Sequence, residues 1–169
     1  YPDPAGVLNA WAASFVLNDR TDTLSLLRDL NEGVAAKIAY RARDDEGTQS
    51  PQETLAKGTG SCRDFAVLFA EAARMLGFGA RNVSGYLYDP TATATGSQGA
   101  GSTHAWAEIY LPGAGWIAFD PTNRAMGSAN LIRVAVARDI VQTSPISGSF
   151  VGAPGDFLGL EVAVSVTPV

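Results

Sequence analysis

The apolar positions of this chain change period about halfway along it. From Val7 to Leu76 they recur at three- and four-residue steps, the spacing of helices with one apolar face, and from Ala80 onward they tend to alternate, the spacing of strands. Leu8, Trp11, Ala12, Phe15 and Val16 form one stripe and predict a short helix over Val7 to Leu17. After a polar break at Asn18 to Thr23, Leu24, Leu27, Leu30, Val34, Ile38 and Arg41 predict a longer helix ending among Arg41 to Gly47. Gly33 inside it costs about 1 kcal/mol against alanine. Ser50-Pro51-Gln52-Glu53 is a capping box with proline at the first helical position, so a short helix runs from Pro51 to about Lys57. Phe65, Leu68, Phe69, Ala72, Met75 and Leu76 then mark a buried helix after the turn Gly58-Thr59-Gly60. Ser61 is its N-cap, Asp64 completes a capping box, and Cys62 takes the first helical position.

The second half reads as sheet. Ala80 to Tyr88, with Val83, Tyr86 and Leu87, is a strand ended by Asp89-Pro90. Thr91 to Ser102 lacks large apolar groups and reads as a mobile loop, either a rim or lid or a plain solvated connection. Thr103 to Leu111 alternates, with His104, Trp106, Glu108 and Tyr110 on one face and Ala105, Ala107, Ile109 and Leu111 on the other. Pro112-Gly113-Ala114-Gly115 turns it into Trp116 to Asp120, which Pro121 stops. With Leu111 to Gly115 as the loop, Tyr110 lies opposite Trp116 and His104 opposite Thr122. Asp120 is then diagonal to His104 on the same face, roughly 7 to 8 Å away and within reach of long side chains. Leu131 to Ala137 and Leu160 to Val166 predict two further strands, with a turn-rich stretch from Thr143 to Gly159 between them. The fold expected is a single α+β domain, helices first and then a mainly antiparallel sheet, with the cysteine helix lying across it.

Composition narrows the function classes. At 169 residues, 46% hydrophobic and 17% charged, the chain is long enough to bury a core without metal or disulfide. A net charge of -5 with scattered basic residues argues against a nucleic-acid partner. No apolar run has the length of a membrane span, so no membrane association is expected. One cysteine and one histidine fall short of a zinc site, and no metal or other cofactor is expected. A single cysteine cannot close an internal disulfide, which fits a reducing, cytoplasmic location. The start at Tyr1 rather than at methionine is read as that of an excised piece of a longer chain.

Cys62, His104 and Asp120 supply a nucleophile, a base that works near neutral pH and a group to orient the base. A thiol at the first turn of a helix faces the positive end of the helix dipole, a placement that suits a sulfur nucleophile. The same position also suits a small hydrophobe capping the core. From the residues alone both readings stand.

Three segments resemble the core motifs of the transglutaminase-like superfamily in order and spacing. They are Gly60-Ser61-Cys62-Arg63-Asp64-Phe65-Ala66, Ser102-Thr103-His104-Ala105-Trp106-Ala107-Glu108-Ile109-Tyr110 and Gly115-Trp116-Ile117-Ala118-Phe119-Asp120-Pro121-Thr122-Asn123. The tail from Arg138 to Pro168 is similar to that of bacterial members proposed to be cysteine proteases, which often carry an extra N-terminal domain. The resemblance implies a papain-like core with Cys62 as nucleophile, His104 as base and Asp120 as orienter. It implies attack on a peptide or isopeptide amide and a thioester acyl-enzyme, with a protein or peptide as partner. The Cys62 amide would be one oxyanion donor, and Tyr40, Gln49 or Gln52 are alternatives for a second. Trp106 and Trp116 either line the substrate cleft or serve as core aromatics, and Glu108 is read as solvated. Arg63 and Asp64 are given helix-supporting work. A cysteine peptidase or amidase is expected first, with glutamine-to-amine transfer and a non-catalytic binding module on the same fold as alternatives. No acidic loop suited to calcium is found in the sequence.

Overall fold

The computed structural model describes residues 1–43, 46–88, 103–146, 148–149, 151–159 and 164–166. Its helices are α1 (Val7–Ala13), α2 (Thr23–Lys37), α3 (Pro51–Lys57) and α4 (Cys62–Met75). α1 stops short of Leu17 because Ser14 Oγ turns back to the Trp11 carbonyl at 2.6 Å. Leu17 beyond it is 77% exposed. α2 is capped by Asp22, which accepts from the Ser25 amide at 2.9 Å. It ends at Lys37, before the expected Arg41 to Gly47, because Ile38 turns extended and the next residues form a strand, β1 (Ala39–Tyr40). β1 pairs in parallel with β2 (Thr59–Gly60), with Ala39 N–H on the Gly58 carbonyl and Arg41 N–H on the Gly60 carbonyl, both at 2.8 Å. That pairing is non-local, so helical periodicity could not reveal it. It fastens the end of α2 to the turn that enters α4. Gly33 also changes meaning: the Phe15 ring lies where a Cβ would stand, so the glycine permits close packing.

The main sheet is five-stranded and antiparallel, in the order β6 (Ala125–Met126), β5 (Gly115–Asp120), β4 (Thr103–Leu111), β3 (Gly79–Leu87), β7 (Leu131–Ala137). The β4–β5 hairpin takes the register expected of it, Tyr110 opposite Trp116 and Leu111 opposite Gly115. α4 packs on the face that carries Ala107, Ile109, Leu111 and Phe119, and the Phe69 and Phe119 rings meet at 5.3 Å. Leu8, Leu27, Leu30 and Val34 of α1 and α2 close the same core. Enclosed on both sides, α4 is buried continuously from Asp64 to Ala73, and its alanines allow neighbours to approach closely. The outer sheet face holds a smaller cluster of Val83, Trp106 and Ala118, with Leu131 against it.

Residues 160–163 of the expected Leu160 to Val166 strand lie outside the described residues, as does the expected loop from Thr91 to Ser102. Residues 164–166 are described and form no strand. A short 3-10 turn at Ile140–Thr143 follows β7, and Ile140 packs with Ala66, Val67 and Ala105 beside Cys62. Among the described residues, no helix is long and apolar enough to cross a membrane.

Candidate active site

α4 begins where its sequence places it, with extended Ser61 as N-cap and Cys62 as first residue. The fully buried Asp64 carboxylate holds this start together. Its Oδ2 accepts from Ser61 N–H at 2.8 Å and Ser61 Oγ at 2.9 Å. Its Oδ1 accepts from Gln49 N–H at 2.7 Å and Arg43 Nη2 at 2.9 Å. Asp64 thus does more than cap: it ties the segment ahead of α3 to the turn that presents the thiol. Arg63 reaches the Arg43 carbonyl at 3.2 Å, on the same segment. Cys62 itself is a free, half-buried thiol.

Tyr40, delivered by β1, sets its ring edge-on to Phe65 with centroids 6.2 Å apart. Burial raises its phenol pKa, and negative charge on Cys62 adds to the shift. Of the other two residues considered as oxyanion donors, Gln49 spends its amide on the Thr59 carbonyl at 2.9 Å. Gln52 spends its own on the Pro2 carbonyl at 2.9 Å.

His104 and Asp120 are each 1% exposed. His104 Nε2 lies 2.7 Å from Asp120 Oδ2, the diagonal contact that the hairpin register makes possible. Burial disfavours the charged ring. The hydrogen bond to Asp120, with the Cys62 thiol and the Asp120 charge adding, outweighs burial and raises His104 to about 9. Nδ1 is buried without a hydrogen-bond partner among the described residues. The Cys62 thiol is thus among the groups that stabilise the imidazolium, while Nδ1 itself makes no hydrogen bond of ordinary geometry, a looseness common at sites without substrate.

Asp120 is oriented by the turn that follows it. Oδ1 accepts from the Thr122 and Asn123 amides at 3.1 and 3.3 Å, and Asn123 Nδ2 donates to Oδ2 at 2.8 Å. Asn123 belongs to the third motif, which by itself does not show that its side chain holds the Asp120 carboxylate. Its signal was an amide side chain three residues after an aspartate in a turn.

Trp106 is buried, with its indole stacked on His104 at 6.1 Å and 27°. Trp116 is partly exposed, edge-on to Tyr110 at 5.4 Å. Both indoles line one cavity on the outer sheet face. Glu108 corrects the sequence reading: it is 5% exposed, not solvated, because Arg81 of β3 and Arg133 of β7 both pair with it. Those partners sit on other strands, out of sight of any local pattern. Among the described residues no group of three His, Cys, Asp or Glu side chains is placed to hold a metal ion.

The sequence profile of the transglutaminase-like superfamily matches residues 9–121. The uncharacterized protein ML0607 of Mycobacterium leprae (strain TN) is 33% identical over 115 residues, which are 68% of this chain and 40% of that protein. The structure of a proposed cysteine protease from Cytophaga hutchinsonii superposes with a TM-score of 0.66 at 25% identity, covering 81% of this chain and 44% of that one. Calcium-bound LapG of Legionella pneumophila superposes with a TM-score of 0.57 at 14% identity, covering 81% and 77%, and shows a shared fold. The chain spans less than half the length of ML0607 and of the Cytophaga protein. With the profile covering most of its length and the α+β core in place, the chain belongs to the transglutaminase-like superfamily.

Proposed function

We propose that this chain is a thiol-dependent hydrolase or acyl transferase acting on peptide or isopeptide amides. Cys62 is its nucleophile, His104 its base and Asp120 the group that orients the base. The observation that carries the reading is the buried 2.7 Å contact between His104 and Asp120, with the unbonded Nδ1 beside a thiol at a helix start. In the reaction, the Cys62 proton passes to Nδ1 and the sulfur bonds to the amide carbonyl carbon. The C–N bond then breaks as the imidazolium returns that proton to the leaving amine. Water, or a second amine, attacks the thioester; its proton goes through His104 to the departing sulfur, and the acid or new amide is released. The Cys62 N–H, unpaired within the first turn of α4, and the Tyr40 hydroxyl are the donors we assign to the oxyanion. Support comes from family membership and from the likeness to the Cytophaga protein.

Iodoacetamide should label Cys62 at pH 6.5, and His104→Ala should slow that labelling by roughly a hundredfold. Labelling that ignores His104 would end the enzymatic reading and favour the binding-module alternative. Mass spectrometry of glutamine-containing peptides, with and without added amine, then separates hydrolysis from transfer. Tyr40→Phe should lower turnover roughly tenfold to a hundredfold with little change in KM.

A further inference from the structure

The cavity behind Trp106 is not used by the chemistry just described. It measures about 220 Å³ and opens between Trp106, Glu108, Trp116, Ser128, Leu131 and Arg133. That is the liquid volume of about seven waters at about 30 Å³ each, room for one amino-acid side chain. Its preferred charge follows from its pairs. Glu108 Oε2 is held by Arg81 through Nε at 2.7 Å and Nη2 at 2.6 Å, and Oε1 by Arg133 Nη1 at 3.2 Å. Two guanidinium groups thus face one carboxylate, a local excess of one positive charge in a chain of net charge -5.

The two arginines are not equivalent. Arg81 is pinned, with Cζ 4.1 Å above the Trp116 ring centre. Arg133 has a side chain 53% exposed, and the pair with Glu108 is its one ion pair among the described residues. A guanidinium presents five donors in a rigid fork that suits a carboxylate. Trp106, almost wholly buried, adds a flat apolar wall to the cavity. A cationic guest between the indoles would gain from their faces but would meet Arg133 in the cavity wall, with Arg81 paired to Glu108 beside it.

We propose that this cavity receives the carboxylate of an acidic residue in a peptide substrate, held by Arg133 between the two indoles. The guest would lie one ring away from His104, since Trp106 stacks on that imidazole, so its seating selects which amide reaches Cys62. The proposal deepens the amide-cleaving reading and rests on it.

The test uses the full chain carrying Cys62→Ala and pairs of peptides identical except for glutamate or glutamine at one position. Binding is read by calorimetry and tryptophan fluorescence. The glutamate peptide should bind at least about tenfold more tightly, and Arg133→Gln should abolish that preference while leaving the melting temperature close to its starting value. Arg133→Lys should restore part of it. Equal binding of the two peptides, or a preference that survives Arg133→Gln, overturns the proposal. Binding of succinate with no binding of either peptide overturns it too, because the cavity would then serve a free acid. Iodoacetamide labelling of Cys62 in the otherwise unchanged chain and in Arg133→Gln keeps the two readings apart. His104-dependent labelling in both would leave the enzyme standing even if the glutamate preference failed.

Discussion

His104 concentrates the opposing forces at the residue scale. A buried imidazole should lose its proton easily, yet the contact with Asp120 reverses the tendency and lifts the ring to about 9. On the proposed mechanism, such a ring would keep a proton taken from the thiol at neutral pH and still have it to give to a leaving amine. In Asp120→Asn the charge is gone and burial remains. The basic limb of kcat/KM should therefore move from about 9 to near or below about 6.5, and the rate should fall by roughly 10² to 10⁴. A pH-rate profile checks this, and an unmoved basic limb would mean that Asp120 does not set the base. The order of Cys62, His104 and Asp120 was legible in the chain because those types are rare or carry distinctive neighbours. Asn123 and Glu108 were not, since their meaning depends on a carboxylate fixed by a turn and on arginines 27 and 25 residues away.

At the element scale, α4 and the β4–β5 hairpin do the positioning. The start of α4 depends on Asp64, which joins it to Arg43 and Gln49. Asp64→Ala would leave those donors and the first turn unanswered in the interior. It should cost about 3 kcal/mol or more in urea unfolding and slow Cys62 labelling as the thiol loses its fixed place. A loss of stability with labelling unchanged would limit Asp64 to a structural role. On the sheet, Gly85 pairs with His104, and a Cβ there would run into the Ile132 carbonyl of β7 and come within 2.9 Å of the Trp106 ring. Backbone cannot step aside as a flexible side chain can. Gly85→Ala should therefore destabilise by about 1 to 3 kcal/mol and disturb the indole that stacks on His104, which near-UV circular dichroism would register.

The whole molecule carries the pH dependence of stability. His104 binds its proton more tightly in the folded chain, at about 9, than in the unfolded chain, at about 6.5. Its contribution is complete below about 6.5 and fades as pH rises through about 9, a loss of about 3 kcal/mol across that window. Urea midpoints should fall over the same range and stay flat in His104→Ala. A midpoint that rises between those values would contradict the assigned protonation. By itself the sequence determined the change from helical to alternating period, the caps of α3 and α4, the first-turn place of Cys62 and the β4–β5 register that puts Asp120 diagonal to His104. Each of these follows from bonds and side-chain directions among near neighbours. Only the tertiary structure decided that β1 would interrupt α2 and set Tyr40 against Phe65 of α4, that α4 would meet the end of β4, and that Glu108 would be buried between two arginines. Those outcomes depend on how distant segments share a core and satisfy one another's polar groups, which no local period records.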